Sequence, residues 1–290
     1  MSLGVEVSPY RLFDTSVSRV EQISSMFRRV TLHAESLRLF APWGLDQRIK
    51  IVLPRPNPAA EGGSWGGPLA GDVDGLPVSE WRSLVLGLPI ETRHPLRTYT
   101  PRSIRPDDHE IDIDFFVHEP AGPASRWAVG ARPGDRLLIS GPDVRADDRQ
   151  HGIQWRPRVP PRRVLLAGDE AAQPAMSAIL ASLPSDAIGA VFFETDSMTS
   201  CPPFDAAPPS IQVSVVLRRD RRPGDALHRA IDEWLAGGAG AASASEADFA
   251  AWVATESTAV ARIKTELLHA GIDPEALSAQ GYWREGPRRH

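Results

Sequence analysis

The chain has 290 residues, 42% of them hydrophobic and 24% charged, enough apolar material for two ordinary domains and too much for a disordered chain. Its formal net charge of -5 excludes a general nucleic-acid binder. The single cysteine, Cys201, excludes a disulfide framework and any thiolate-held zinc or iron–sulfur site within one chain. No apolar run approaches the roughly 20 residues that span a bilayer. The first residues also lack the charged-then-apolar order of a secretion signal. The expectation is a cytoplasmic monomer with no membrane span. Arginine replaces lysine almost throughout, and Lys50 and Lys264 are the only lysines.

From the N-terminus, short β-like runs are split by Pro and Gly. Residues 28–40, 47–53, 96–104, 110–118 and 135–140 read as strands. Residues 110–117 alternate, with Ile111, Ile113 and Phe115 on one face and Asp112 and Asp114 on the other. Such strands with regular turn signals predict an antiparallel barrel. The pattern changes near residues 154–163, where the Pro-rich stretch 157–163 reads as a hinge. Beyond it, strands at 164–167, 190–194, 211–217 and 249–254 alternate with helices at 175–183, 227–235 and 257–270. That alternation predicts a parallel sheet covered on both faces. The small-residue stretch 237–245 reads as a loop.

Two segments carry chemistry. In Arg97-Thr98-Tyr99-Thr100-Pro101-Arg102, alternate side chains of a strand share a face. Arg97 and Tyr99 then point together, a guanidinium suited to a pyrophosphate and a ring suited to an isoalloxazine. The same pattern also fits a plain strand with an exposed Arg and a packed Tyr. In the second segment, Phe115-Phe116-Val117-His118 ends a strand and Gly122-Pro123-Ala124-Ser125 opens a helix. Pro at the first helical position leaves the Ala124 and Ser125 amides ready for a diphosphate. A helix start with no ligand is the plainer alternative. No Gly-x-Gly-x-x-Gly is present.

These segments resemble the siderophore-interacting proteins, flavin-dependent ferric-siderophore reductases of the ferredoxin reductase superfamily. The resembling residues are Arg97-x-Tyr99-Thr100-x-Arg102, Asp114-Phe115 through His118, and Gly122-Pro123-Ala124-Ser125-x-Trp127-Ala128. Pro133-Gly134-Asp135, Gly141-Pro142 and Gly168-Asp169-Glu170 follow in family order. Trp252-x-Ala254-x-Glu256-Ser257 and Gly281-Tyr282-Trp283-Arg284 complete the set. The resemblance implies a six-stranded antiparallel Greek-key β-barrel holding FAD at 17–156. It also implies a three-layer α/β domain for NADH or NADPH, with a C-terminal tail, at 157–290.

Carried over, Arg97, Tyr99, Thr100, Arg102, Asp114, Phe115 and Val117 belong to the flavin site, and the stretch His118, Gly122, Pro123, Ala124 and Ser125 to its diphosphate. Asp169 and Glu170 are expected at the inter-domain cleft, and Trp283 is expected to approach the flavin or its nicotinamide side. The chain departs from the family pattern at Ala171, Gln173 and Thr255, the last standing where Gly is usual.

The implied reaction carries electrons from NAD(P)H through FAD to Fe(III) in a siderophore and releases Fe(II). An anionic ferric siderophore calls for cations, and Arg48, Lys50 and Lys264 are the candidates, with Arg145 weaker. No protein metal ligands are expected. A ferredoxin donor, a general flavin reductase or oxygenase-partner reductase, and a non-catalytic siderophore binder are the alternatives. Glu194, at a strand end, would favour a free ribose hydroxyl, whereas Arg218, Arg219, Arg221 and Arg222 would meet a 2′-phosphate.

Overall fold

The computed structural model describes residues 7–57, 60–199, 202–204, 206–238 and 246–286. Cys201 and most of the expected 237–245 loop lie outside them. The chain divides into two compact units, Met1–Ile153 and Gln154–His290.

The first unit holds strands β1 (Tyr10–Gln22), β2 (Phe27–His33), β3 (Ile49–Val52), β4 (Arg55–Asn57), β5 (Ala60–Ser64), β6 (Leu96–Tyr99), β7 (Ser103–Arg105), β8 (Glu110–Phe116) and β9 (Arg136–Pro142), with helices α1 (Val78–Leu86) and α2 (Pro123–Gly130). Seven of the strands form one antiparallel sheet in the order β6-β3-β9-β1-β2-β8-β7. Laid flat, its edge strands would stand about 29 Å apart at ~4.8 Å per strand. Yet β6 and β7 are joined by Thr100, Pro101 and Arg102 alone, a link that reaches ~15 Å at most. The sheet must curl. The Tyr99 ring of β6 accordingly lies 4.8 Å from the Phe115 ring of β8.

The six-stranded barrel expected from the sequence is therefore corrected to a curled seven-stranded sheet. Three boundaries differ for identifiable reasons. The run 96–104 is cut where Pro101 cannot donate to a ladder. The run 28–40 ends at His33 and continues as a 3-10 turn over Glu35–Leu39. Strand β1 loses its alternation over Tyr10–Phe13, where both faces are covered, and alternates over Phe13–Ser18, where Phe13, Thr15 and Val17 are buried and Ser16 and Ser18 exposed. Phe13 packs inside the curl with Val30, Ile51, Ile113, Phe115 and Ile139. Leu12 packs outside with Val52, Leu138 and the α1 residues Trp81 and Val85.

The acids of β8 point away from the inner core, as their alternation predicts, but they are buried. Asp114 takes a bidentate bond from Arg29 at 2.7 and 2.8 Å, and Asp112 takes Arg105 at 2.6 Å.

The second unit holds β10 (Arg163–Asp169), α3 (Gln173–Ser182), β11 (Ile188–Thr195), β12 (Ser210–Leu217), α4 (Asp225–Ala236), β13 (Phe249–Glu256), α5 (Ser257–His269) and β14 (Leu277–Trp283). The sheet is wholly parallel, in the order β12-β11-β10-β13-β14. Leu165, Ala167, Ala251 and Val253 face α4 and α5 through Leu227, Ile231, Val260 and Ile263. Gly168, on the opposite face, looks at α3. A Cβ there would lie 2.6 Å from Ala172 Cβ, 2.8 Å from Met176 Sδ and 3.0 Å from the Ala254 carbonyl. The expected three layers are present. The expected C-terminal tail is instead the edge strand β14.

Replacing Asp114 with Ala should destabilise the first unit by about 2–4 kcal/mol, because Arg29 keeps a half-buried charge without its partner. Pairing Asp114→Leu with Arg29→Met should recover most of that loss. Denaturant unfolding checks both, and a double variant as unstable as the single one would contradict the account.

Candidate functional site

The flavin-type segments meet through one ring. Phe115 is wholly buried in the inner core, 4.8 Å from the Tyr99 ring and 5.4 Å from that of Trp127 on α2. It thereby ties β6 to α2. Its own side chain is committed to this core. Asp114, also buried, is committed to Arg29, with Arg102 Nε at 3.9 Å. Its carboxylate orients these two cations. Arg97 and Tyr99 share a face of β6, paired with Ile51 and Ile49 of β3. The Tyr99 hydroxyl has its pKa pushed up by burial. Thr100 is buried and Val117 is half-buried, its amide donating to the Met26 carbonyl.

Helix α2 begins as the sequence suggests. Gly122 is its N-cap, Pro123 occupies the first turn, and no side chain caps it. Ala124 and Ser125 are buried, and the Ser125 hydroxyl donates to the Phe116 carbonyl at 3.3 Å. His118 is exposed, its ring 5.8 Å from that of Phe116.

At the carboxyl ends of the parallel strands, three buried acids accept backbone amides: Asp169 and Glu256 cap the element that directly follows each, and Glu194 caps α4, beyond β12. Asp169 Oδ1 accepts from the Ala171 amide at 3.0 Å. Glu194 accepts from the Gly224, Ala226 and Leu227 amides at the start of α4. Glu256 accepts from Thr258 and Ala259 at the start of α5. Arg218 links the acids, donating to Glu170 at 2.7 Å, Glu194 at 3.3 Å and Asp196 at 2.8 Å.

Glu194 and Arg218 are thus consumed within the protein, which corrects their reading as the groups that discriminate a ribose hydroxyl from a phosphate. Arg219, Arg221 and Arg222 are exposed just after β12.

Asp169 has further partners that the sequence did not suggest. Its Oδ2 accepts from the Thr255 hydroxyl at 2.6 Å and from the Trp283 indole at 2.7 Å. The departure at Thr255 therefore supplies a hydrogen bond where glycine has none. Trp283 reaches Asp169 because the β13–β14 register slips, placing Gly281 opposite Thr255 and Trp283 opposite Glu256. Gly281 permits that close approach, since a Cβ would come within 2.9 Å of the Ser257 Cα. The neighbouring Tyr282, not Trp283, packs on core Trp252, with ring centroids 5.9 Å apart. Gln173 is buried at the start of α3 and donates to the Ser177 hydroxyl.

The expected substrate cations fall on different elements. Lys50 on β3 donates to the Thr98 hydroxyl at 2.5 Å, on the face opposite Arg97 and Tyr99. Arg48 is half-buried, and its carbonyl accepts from the Tyr10 hydroxyl. Lys264 is exposed on α5 in the second unit. Arg145 is spent on a bidentate bond to Asp143.

Burial, reinforced by the Glu170 carboxylate, pushes the Asp169 carboxyl from 3.8 up to about 6, against the pull of Thr255, Trp283 and Arg218. The folded state then holds more protons than the unfolded one between about pH 4 and 6, so this group's contribution to stability falls as pH rises through that window. Over it the parent should lose about 2–3 kcal/mol relative to Asp169→Asn. Equilibrium unfolding of both proteins across pH measures the difference, and a flat difference would contradict the assignment.

The model of the siderophore-interacting FAD-binding domain matches residues 16–146, and that of the siderophore-interacting protein matches residues 161–286. Ferric vibriobactin reductase ViuB of Vibrio cholerae is 30% identical over 287 residues, 99% of this chain and 93% of that protein. Mycobactin import ATP-binding/permease protein IrtA of Mycolicibacterium smegmatis is 33% identical over 194 residues, 66% of this chain. The matched region spans 20% of that larger protein. Among solved structures, a siderophore utilization protein from T. fusca superposes with a TM-score of 0.74 at 26% identity, covering 99% of this chain and 97% of its own. With both units matched and a relative aligned along almost the whole sequence, the chain belongs to the siderophore-interacting protein family and is an FAD-dependent oxidoreductase.

Proposed function

We propose that the chain is a cytoplasmic ferric-siderophore reductase, taking electrons from NADH or NADPH and releasing Fe(II) from the siderophore. The observation that carries this reading is the bare N-terminus of α2, tied by Phe115 to the Arg97–Tyr99 strand. It is supported by the likeness to ferric vibriobactin reductase along nearly the full length.

The residues fit FAD. Gly122 at the N-cap carries no side chain to fill the approach to the first-turn amides, and no neighbouring side chain caps them. That leaves donors for a diphosphate. Arg97 adds a cation, and Tyr99 a ring plane whose neutral hydroxyl is fixed by burial. Bound there, FAD supplies the conversion of a two-electron hydride donor into single electrons for Fe(III). The chain binds and orients the groups. Hard Fe(III) is held by anionic oxygen ligands, so reduction to Fe(II) loosens it without protein ligands to the metal. Lys50 serves as a docking cation for the anionic complex. With Glu194 and Arg218 buried in their own network, Arg219, Arg221 and Arg222 are the groups left to meet a 2′-phosphate.

Arg97→Ala should weaken FAD binding about 10- to 100-fold, in line with loss of a charged hydrogen-bond pair worth about 1.5–3 kcal/mol. Flavin retained in full after dilution of the purified variant would overturn the role of Arg97. Lys50→Ala should raise KM for an anionic ferric siderophore and flatten its salt dependence while flavin content holds. An unchanged KM across several ferric siderophores would remove Lys50 from the site.

A further inference from the structure

Folding brings together residues that the sequence keeps far apart. His33 closes β2, Glu35 begins the 3-10 turn after it, and His109 immediately precedes β8. The β2–β8 ladder fixes their separation. His33 pairs with Glu110, and the Ala34 amide donates to the His109 carbonyl at 3.2 Å. One ligand atom from each of the three side chains lies within 4.8 Å of the other two. His109 Nδ1 is 3.2 Å from Glu35 Oε2, and the two imidazole centroids are 6.1 Å apart.

Two ligands of a tetrahedral ion at ~2.1 Å stand about 3.4 Å apart. The His109–Glu35 pair already has that spacing, and His33 needs a side-chain adjustment of about an ångström to join it. Its ends are held by backbone, so the adjustment falls on rotamers alone. The charge is also favourable. Two neutral imidazoles and a carboxylate carry one negative charge, and Asp107 and Asp108 are exposed beside them. The neighbouring Arg105 is engaged by Asp112 and Glu110.

A second group of histidine and acids contrasts with this one. On α4, His228 Nδ1 lies 3.3 Å from Asp232, and its Nε2 lies 2.6 Å from Glu266 of α5. Both ring nitrogens there already face carboxylates. That imidazole bridges two helices through both its nitrogens, so a metal taken by these three residues would have to break one of the existing contacts. Among the described residues, His33 makes no such pairing.

We propose that His33, Glu35 and His109 form a binding site for a late first-row divalent cation, of which Zn²⁺ is the test ion. Two imidazoles and one carboxylate with open positions suit such ions and discriminate against Mg²⁺ and Ca²⁺, which favour oxygen. The site is built from the first unit alone and stands apart from the reductase reading. The grouping is not readable from the sequence, because the spacing that matters is created by the β2–β8 register.

Calorimetric titration of the full FAD-loaded chain, stripped with a chelator, tests this. The parent should bind Zn²⁺ saturably, and excess Mg²⁺ or Ca²⁺ should not displace it. His33→Ala, His109→Ala and Glu35→Gln should each lose more than about 100-fold in affinity, the upper end of what an outer-sphere partner is worth. His228→Ala should bind as the parent does. Glu35 is exposed, so its amide variant tests the site without risk to the fold. Absence of saturable binding, parent-like affinity in Glu35→Gln, or loss of binding in His228→Ala would overturn the proposal.

Discussion

The second unit depends on buried carboxylates placed where parallel strands end. Asp169, Glu194 and Glu256 close β10, β11 and β13, and each accepts the amides that open the next turn or helix. A helix N-terminus is the one backbone feature that offers both donors and positive potential to a buried anion. Each acid is stabilised by the amides it accepts, which for Glu194 come from α4 beyond β12, and each capped element is oriented by its acid. Glu194 also holds Arg218, and Arg218 holds Glu170. Asp169 differs because its cap is a single short turn and its other donors are neutral. Its carboxyl is accordingly pushed up by burial, and Thr255 and Trp283 keep it from rising further.

The first unit meets a similar constraint with cations. Its curl is forced by the three-residue link between the edge strands, and apolar side chains fill the inside. Acids on the outer face of β8 are then matched by Arg29 and Arg105. Phe115 sits where the curl brings β6 and α2 to one core, so the two segments suited to a flavin are positioned by one buried ring.

Much of this was legible in the sequence. Alternation in β8, the strand–helix order after residue 163 and the proline at the start of α2 each report local geometry, and each is found. The illegible parts arise from what surrounds a segment. Strand β1 is covered on both faces at its start, Tyr10–Phe13, and shows no period there. Strand β14 is an edge whose closing Trp283 finds its partner across the sheet on β10. Glu194 and Arg218 carry the residue types of a nucleotide contact, yet in the fold they satisfy each other. The His33, Glu35 and His109 cluster is invisible because only the β2–β8 register creates it. Thr255 was a departure without a reason until its hydroxyl was seen on Asp169.

A flavin-suited first unit and a parallel second unit together support a chain that moves electrons from a reduced nicotinamide to iron held by a siderophore. The most direct measurement is the visible spectrum of the purified protein, followed under anaerobic conditions. An oxidised flavin spectrum that bleaches with NADH or NADPH, and is restored by a ferric siderophore much faster than by free flavin, is the predicted result. A colourless protein that binds no FAD, or a bleached one that ferric siderophores restore no faster than free flavin does, would contradict it.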